Sequence, residues 1–321
     1  MLAALVLSTT SGCFNGCNKK RPEEGIEPPP PAPALAPAPA APAALTADAL
    51  IDRFETCLGL WNENDDAFAT CWTPGVDLRA IEAGFPDMRG EAQLELVHGH
   101  DLAVVTWLGG THTGPLDLPG APKTMNQPVG LLMGQVMELD DQGAVKHDRD
   151  YVDVATVVGQ LAPNSKHPVR PVQTAAATPK QVVIAKNDDA EKANLAVAQQ
   201  LVDATNKHDA TATAALFAPG AVWSEQQNPK DWTTDEMVAD LQQAWTAFSD
   251  LKTNTTATWA AGDYVVVVAT LDGTNDGVSP QLGIATPSHK PVSVPFLRIH
   301  KLAAGKIAAT WVFAQGVVIG Q

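Results

Sequence analysis

FPDMRGEAQLELVHGHDLAVVTWLGGTHTG (Phe85–Gly114) returns 163 positions later as FSDLKTNTTATWAAGDYVVVVATLDGTNDG (Phe248–Gly277). Laid over each other without a gap, Phe85 meets Phe248, Asp87 meets Asp250 and Gly99 meets Gly262. Val104-Val105 meets Val267-Val268, and Gly110-Thr111 meets Gly273-Thr274. The match runs on through Gly114 and Gly277, then Gly120 and Gly283, to Pro128-Val129 and Pro291-Val292. A constant offset over such a length means a duplicated unit, and two copies are too few for a solenoid.

Working outward from the repeat, 321 residues accommodate two domains of about 120–140 residues, each large enough for its own core. The first opens with Thr46 as N-cap and a helical stripe of Leu50, Ile51, Phe54, Leu58 and Trp61. A shorter helix follows at about Asp66–Trp72. The second opens on Asp188 with Glu191 at capping-box spacing, and Leu195, Ala198, Leu201 and Val202 form its stripe. Trp72 matches Phe217 at an offset of 145, so the first copy lacks about eighteen residues, which correspond to Asn228–Trp245. Leu78–Ala83 is expected to rebuild that wall. Beyond Phe85 and Phe248 both copies turn strand-like, with Gly143 and Gly305 at hairpin turns. Helices first and an antiparallel meander afterwards is an α+β pattern. The expected layout is a targeting signal over 1–13, a Pro/Ala-rich tether over 14–45, a first domain over 46–162, a linker over 163–187 and a second domain over 188–321.

The order of motifs is similar to that of a known family. Phe85-Pro-Asp87, Gly110-Thr-His-Thr-Gly114, Gly143, and Asp153 with Gly159-Gln-Leu161 carry it in the first copy. Phe248-Ser-Asp250, Gly273-Thr-Asn-Asp-Gly277, Gly305-Lys-Ile307 and Trp311 carry it in the second. Both copies resemble the SnoaL-like polyketide cyclases of the nuclear-transport-factor-two-like superfamily. The resemblance implies two cones, each a strongly curved antiparallel sheet wrapped around its N-terminal helices and enclosing an apolar cavity. It also implies sheet-mediated pairing, here as an intramolecular pseudo-dimer, and chemistry that uses no cofactor and no metal. In the cyclases an aspartate acts as general acid/base. An apolar pocket raises a carboxyl pKa, so the group can take an acidic α-proton and return it.

Period two on the last strand of the first copy puts His147, Arg149, Tyr151 and Asp153 on one face. Asp153 matches the family's carboxylate, and Arg149, at i and i+4, is placed to pair with it. Asp148 and Asp150 fall on the opposite face and are expected to be solvated. The second copy offers Trp311, Phe313 and Gln315 on the matching face, and an amide at position 315 cannot exchange a proton near neutral pH. Expected pocket residues are therefore His112, Gln135 and Tyr151 in the first domain and Asn275, Arg298, Trp311, Phe313 and Gln315 in the second. Arg298 and His300 share a strand face, suited to an anionic ligand or to plain solvent exposure.

The N-terminus speaks to compartment. Leu2–Leu7 is a short apolar run, followed by small residues and Cys13, and resembles the end of a bacterial lipoprotein signal with Cys13 as the lipidated residue. The Pro/Ala tract that follows favours extended polyproline II and cannot build a core. Cys57 and Cys71 sit seven residues either side of Asn64. They are either two buried thiols or, as export favours, a disulfide across a helix pair, worth about 3 kcal/mol for such a loop. A net charge of −15 argues against nucleic acid and anionic membrane surfaces as partners. The membrane is reached only through the lipid, in a bacterial envelope. The resulting expectation is a non-catalytic lipoprotein that binds a small apolar or amphipathic molecule or a partner protein. The alternative is an ester cyclase- or isomerase-like enzyme with Asp153 as acid/base.

Overall fold

The computed structural model describes residues 45–71, 83–116, 126–141, 143–162, 169–280 and 284–314. It is an α+β structure built on two curved five-stranded sheets. Helix α1 (Ala47–Asn62) is capped by the Thr46 hydroxyl and is followed by a short 3-10 helix, Asp66–Thr70. Asn64 turns the chain between them in the left-handed region (φ 54°). Cys57 and Cys71 are joined by a disulfide, as the spacing around Asn64 suggested. Strands β1 (Arg89–His98), β2 (Asp101–His112), β3 (Gln127–Leu139) and β4 (Val145–Tyr151) form an antiparallel meander closed by helix α2 (Val154–Leu161).

The second unit repeats this plan. Helices α3 (Asp189–Asn206) and α4 (Ala210–Ala215) precede β6 (Phe217–Glu225), helix α5 (Thr234–Ala247) and the meander β7 (Lys252–Ala261), β8 (Tyr264–Thr274), β9 (Pro291–Ala303) and β10 (Lys306–Ala314). The strand between α4 and α5 pairs parallel with β10 at the edge of the second sheet. Among the described residues of the first unit only the helical Ala83–Gly84, in register with Thr246–Ala247, correspond to α5; residues 72–82, which include most of the wall expected over 78–83, lie outside them. The linker is more ordered than its composition promised. Its residues Gln181–Ile184 form β5, parallel to β1 at the far edge of the first sheet. Lys180 ahead of it pairs with Glu55 and with the fully buried Glu95.

The repeated residues turn out to be joints. Asp87 Oδ1 accepts from Thr111 N at 2.7 Å, and Asp250 Oδ1 accepts from Thr274 N at 2.6 Å. Backbone hydrogen bonds hold both carboxylates below their ordinary pKa. A Cβ on Gly114 would lie 1.8 Å from the Ala83 carbonyl oxygen, and one on Gly277 would lie 1.9 Å from that of Thr246, so only glycine fits. The helix-end amides of Asn62 and Asn206 each exchange two hydrogen bonds with a strand backbone, at Gly90 and Thr253. Even the β-bulge recurs, at Ala92/Leu94 and at Thr255/Ala257.

Each sheet is covered on two sides. Helix α1 packs on an inner face made by Val97, Leu102, Val104, Met137 and Leu139, while α3 packs on Ala260, Val265, Val267 and Phe296. The outer faces meet each other. Leu94, Leu96, Ala103, Val105 and Tyr151 share one core with Trp259, Val266, Leu297, Ile299 and Phe313. Gly134 makes room for that contact, because a Cβ there would lie 2.6 Å from the Phe313 ring and 2.8 Å from Leu297. Polar contacts frame the junction. Thr156 Oγ1 donates to the Gln226 carbonyl, Gln226 Oε1 accepts from Leu132 N, and Arg170 reaches Asp231 and the Glu225 carbonyl. Phe313 is 1% exposed, so Phe313→Ala should cost about 3–5 kcal/mol in urea denaturation; a cost under about 1 kcal/mol would mean that the outer faces do not share a core.

Candidate functional site

Two faces compete to hold a site, and the packing decides between them. Tyr151, Trp311 and Phe313, expected to line cavities, lie on the outer faces within or against the inter-sheet core. The alternation was read correctly and its direction was not, because an aromatic face suits a sheet interface as well as a pocket wall. Asp153 also departs from expectation. Strand β4 ends at Tyr151, and Asp153 is the N-cap of α2. Its Oδ1 accepts from Ala155 N and Thr156 N, and its Oδ2 lies 2.9 Å from Thr156 Oγ1, whose one proton is shared with the Gln226 carbonyl. Burial still pushes its pKa up, yet both oxygens are committed to the helix start. No Arg149–Asp153 ion pair occurs among the described residues; Arg149 is exposed.

Asn275 is buried in its own loop, where its amide donates to the carbonyls of Ala247 and Gly277 and accepts from Ser288 N. It staples the turn and does not face a cavity. His112 is buried at the end of β2 with its ring 5.5 Å from that of Phe85. Gln315 and Cys13 lie outside the described residues. Among the described residues no group of His, Cys, Asp and Glu could hold a metal ion.

The inner walls hold the chemistry instead. In the first unit Gln135 and Met137 of β3 stand opposite Asp150 and Asp148 of β4. Gln135 Nε2 donates to Asp148 Oδ1 at 2.9 Å. The aspartates expected in solvent are thus part of the helix-side wall, and burial raises both pKa values. Asp150, with the Asp148 charge beside it as a second cause, is pushed up to about 7.

In the second unit the residue in the place of Gln135 is Arg298, paired with Val312 across β10 and with Val267 across β8. Its guanidinium carbon lies 4.9 Å from the Trp223 ring centroid and 4.7 Å from that of Phe296. Arg298 is 9% exposed and its Nε has no hydrogen-bond partner. Burial lowers its pKa to about 10 against the opposing pull of the Glu225 charge, which leaves it charged near neutrality. His300, two residues on, is 1% exposed with Nδ1 2.9 Å from Thr310 Oγ1, and burial with the Arg298 charge holds it neutral. The solvent-exposed alternative for these two is therefore excluded. Glu225 sits on the other side of Val312, where Trp223 Nε1 and Gln227 Nε2 donate to it and burial raises its pKa.

Arg298 opens onto a cavity of 40 Å³ between α3, α5 and the inner wall, lined chiefly by Leu201, Trp223, Met237, Leu241 and Trp245. Its polar neighbours are already occupied. The Thr205 hydroxyl donates to the carbonyls of Leu201 and Val202, and Asn206 is engaged with the Thr253 backbone. Sequence periodicity pointed to this wall only through Arg298; Trp223, Met237 and Trp245 read equally well as plain core.

Residues 198–310 match the family model described as the SnoaL-like domain. Among solved structures the chain is similar to a candidate SnoaL-like polyketide cyclase from Jannaschia sp. CCS1, at 24% identity and a TM-score of 0.37 over 40% of this chain and 90% of that one. It is also similar to AclR, a candidate hydroxylase from Streptomyces galilaeus, at 21% identity and a TM-score of 0.34 over 39% of this chain and 76% of that one. A third is IdmH, a candidate polyketide cyclase from Streptomyces antibioticus, at 19% identity and a TM-score of 0.34 over 38% of this chain and 91% of that one. None of the curated proteins compared with the chain matches it.

A pH experiment tests the acidic wall. Between the ordinary carboxylate range and about 7, the folded protein keeps the Asp150 proton that the unfolded chain has released. The charged form is the costly one in the fold, so wild type loses stability as pH rises through that window. Asp150→Asn should therefore gain on wild type across it and hold a constant advantage above it, read by urea denaturation at a series of pH values. An advantage independent of pH would show that Asp150 titrates normally.

Proposed function

We propose that the chain is an exported, lipid-anchored protein with two SnoaL-like domains, the second of which holds a small apolar or amphipathic molecule without transforming it. The observation that carries this reading is the cavity under α3 and α5. Its walls are apolar and aromatic, as ligand pockets are, and at 40 Å³ it takes only a few heavy atoms unless α5 moves outward. Its lining includes no carboxylate, histidine or cysteine among the described residues, so nothing that could move a proton near neutral pH faces the bound molecule. The rival reading, an enzyme of the cyclase type with Asp153 as acid/base, is weakened by the same kind of inspection. Asp153 gives both oxygens to the α2 cap and its neighbouring hydroxyl.

Export and anchoring rest on the apolar run before Cys13 and on the Pro/Ala-rich stretch after it. The disulfide between Cys57 and Cys71 agrees with an oxidising compartment. No helix among the described residues is long and apolar enough to cross a membrane, so the lipid on Cys13 would be the attachment to the bacterial envelope. An intramolecular pseudo-dimer is supported by the core shared between the outer faces.

Two experiments test these claims. Under xenon pressure the full-length chain should give an exchange-shifted xenon NMR signal from the cavity, and Leu241→Phe, which fills the cavity from α5, should remove it. Xenon binding that survives the substitution would move the site elsewhere. Metabolic labelling with palmitate in the host should mark wild type and not Cys13→Ser; equal labelling of both would remove the lipid anchor from the account.

A further inference from the structure

A sheet edge in water offers unpaired N–H and C=O groups to any extended chain, and folded proteins guard such edges with charges, prolines, bulges or covering segments. The two sheets have four edge strands, β4, β5, β6 and β7. Strand β4 exposes Lys146 and Arg149. Strand β7 exposes Lys252 and a run of polar side chains and is broken by the bulge at Thr255/Ala257. Strand β6 contains Pro219, and the Trp232 backbone bonds Trp223 on its open side. Strand β5 has none of these guards. Gln181-Val-Val-Ile184 is uncharged, free of proline and in unbroken register with β1, and among the described residues no strand lies beyond it.

The open side of β5 can be assigned residue by residue. Ala185 N donates to the Val97 carbonyl, and successive residues of a strand turn their backbone groups to opposite sides. Val183 therefore turns its N–H and C=O toward β1, while Val182 and Ile184 turn theirs outward. The side chain of Val183 packs against the inter-sheet core. Those of Val182 and Ile184 are each 42% exposed on the other face, the one from which Lys180 reaches Glu55 and Glu95. Acid prevails on that face. Lys180 also feels the charge of Asp52, and Asp52 and Glu55 stand exposed three residues apart on α1. Burial pushes Glu95 up to about 7; even with Glu95 neutral, two carboxylates face one ammonium.

From this geometry we infer that the edge of β5 takes up a short, extended, cationic segment of another protein as an added strand. Its backbone bonds to Val182 and Ile184, and its Lys or Arg side chains lie over Asp52 and Glu55. Four residues of edge suit a short segment and not a second sheet. A second copy of this chain pairing β5 to β5 would bring its own Asp52 and Glu55 to the same place, with a net charge of −15 on each molecule. The inference does not draw on the cavity of the second domain.

The probe is acetyl-Lys-Val-Lys-Val-Lys-amide added to the full-length chain, with binding read by calorimetry and its place by hydrogen exchange. Exchange at the Val182 and Ile184 amides should slow about tenfold or more at saturating peptide. A counterpart with Glu in place of Lys should bind about tenfold or more weakly. So should the Lys peptide N-methylated throughout, which keeps its charge and has no N–H left to bond the edge. Val182→Pro removes an outward N–H and leaves the bonds to β1, so it should weaken peptide binding while leaving the urea midpoint nearly unchanged. Equal binding of the N-methylated peptide would reduce the attraction to surface charge and overturn the edge. Equal binding of the Glu peptide would overturn the cationic assignment. No binding of the Lys peptide, or protection away from β5, would overturn the site. Dimerisation of the chain that Val182→Pro abolishes would give the edge to a second copy and overturn the assigned partner. The peptide comparisons need no substitution, so a variant that fails to fold leaves them decisive.

Discussion

Each sheet has two apolar faces and can leave neither in water. Helices cover the inner face; the outer face has no helix and is covered by the outer face of the other sheet. Everything else in the architecture follows from that mutual dependence. Val265–Val268 are buried without alternation because they are enclosed on both sides, as strands in the middle of a layered structure must be. The linker is drawn along the first sheet as an extra strand, and its Arg170 and Gln181 tie it to Asp231 and Tyr264 of the second unit. Any site for a ligand is left with the inner walls.

Duplication kept the frame and changed the wall. The joints recur atom for atom: Asp87 and Asp250 on the backbone of Thr111 and Thr274, Asn62 and Asn206 on a strand edge, and Gly114 and Gly277 against a helix-end carbonyl. On the inner walls the same positions carry opposite chemistry. Gln135 becomes Arg298 and Met137 becomes His300, while Asp148 and Asp150 give way to Thr310 and Val312. One cone thus holds two carboxylates with raised pKa values, and the other holds a buried cation beside Trp223 and Phe296 with Glu225 across Val312 from it. The repeat itself, being blind to walls, says nothing about which chemistry each copy carries.

The fold was largely legible in the sequence because the identities between copies fall at joints, where geometry allows one residue type. The pairing of Cys57 with Cys71 was legible for a similar reason, the turn at Asn64 being central to both. The site was harder to read. Strand parity separated Tyr151 from Asp150, and Phe313 from Val312, but it carries no sign telling the helix side from the sheet side. The aromatic set was assigned to the cavity by composition, when it serves the interface. Asp148 and Asp150 resembled solvent-facing charges for the same reason. Asp153 was carried onto the strand by counting in twos past its end at Tyr151, where the chain had already turned into α2.

Hydroxyl-radical footprinting of the full-length chain, read by mass spectrometry, tests whether the outer faces cover each other. The account predicts that Tyr151 and Phe313, each 1% exposed, escape oxidation while the half-buried Trp245 at the inner wall is labelled. Oxidation of Tyr151 and Phe313 at the rate of Trp245 would show that the outer faces stand open to water and contradict it.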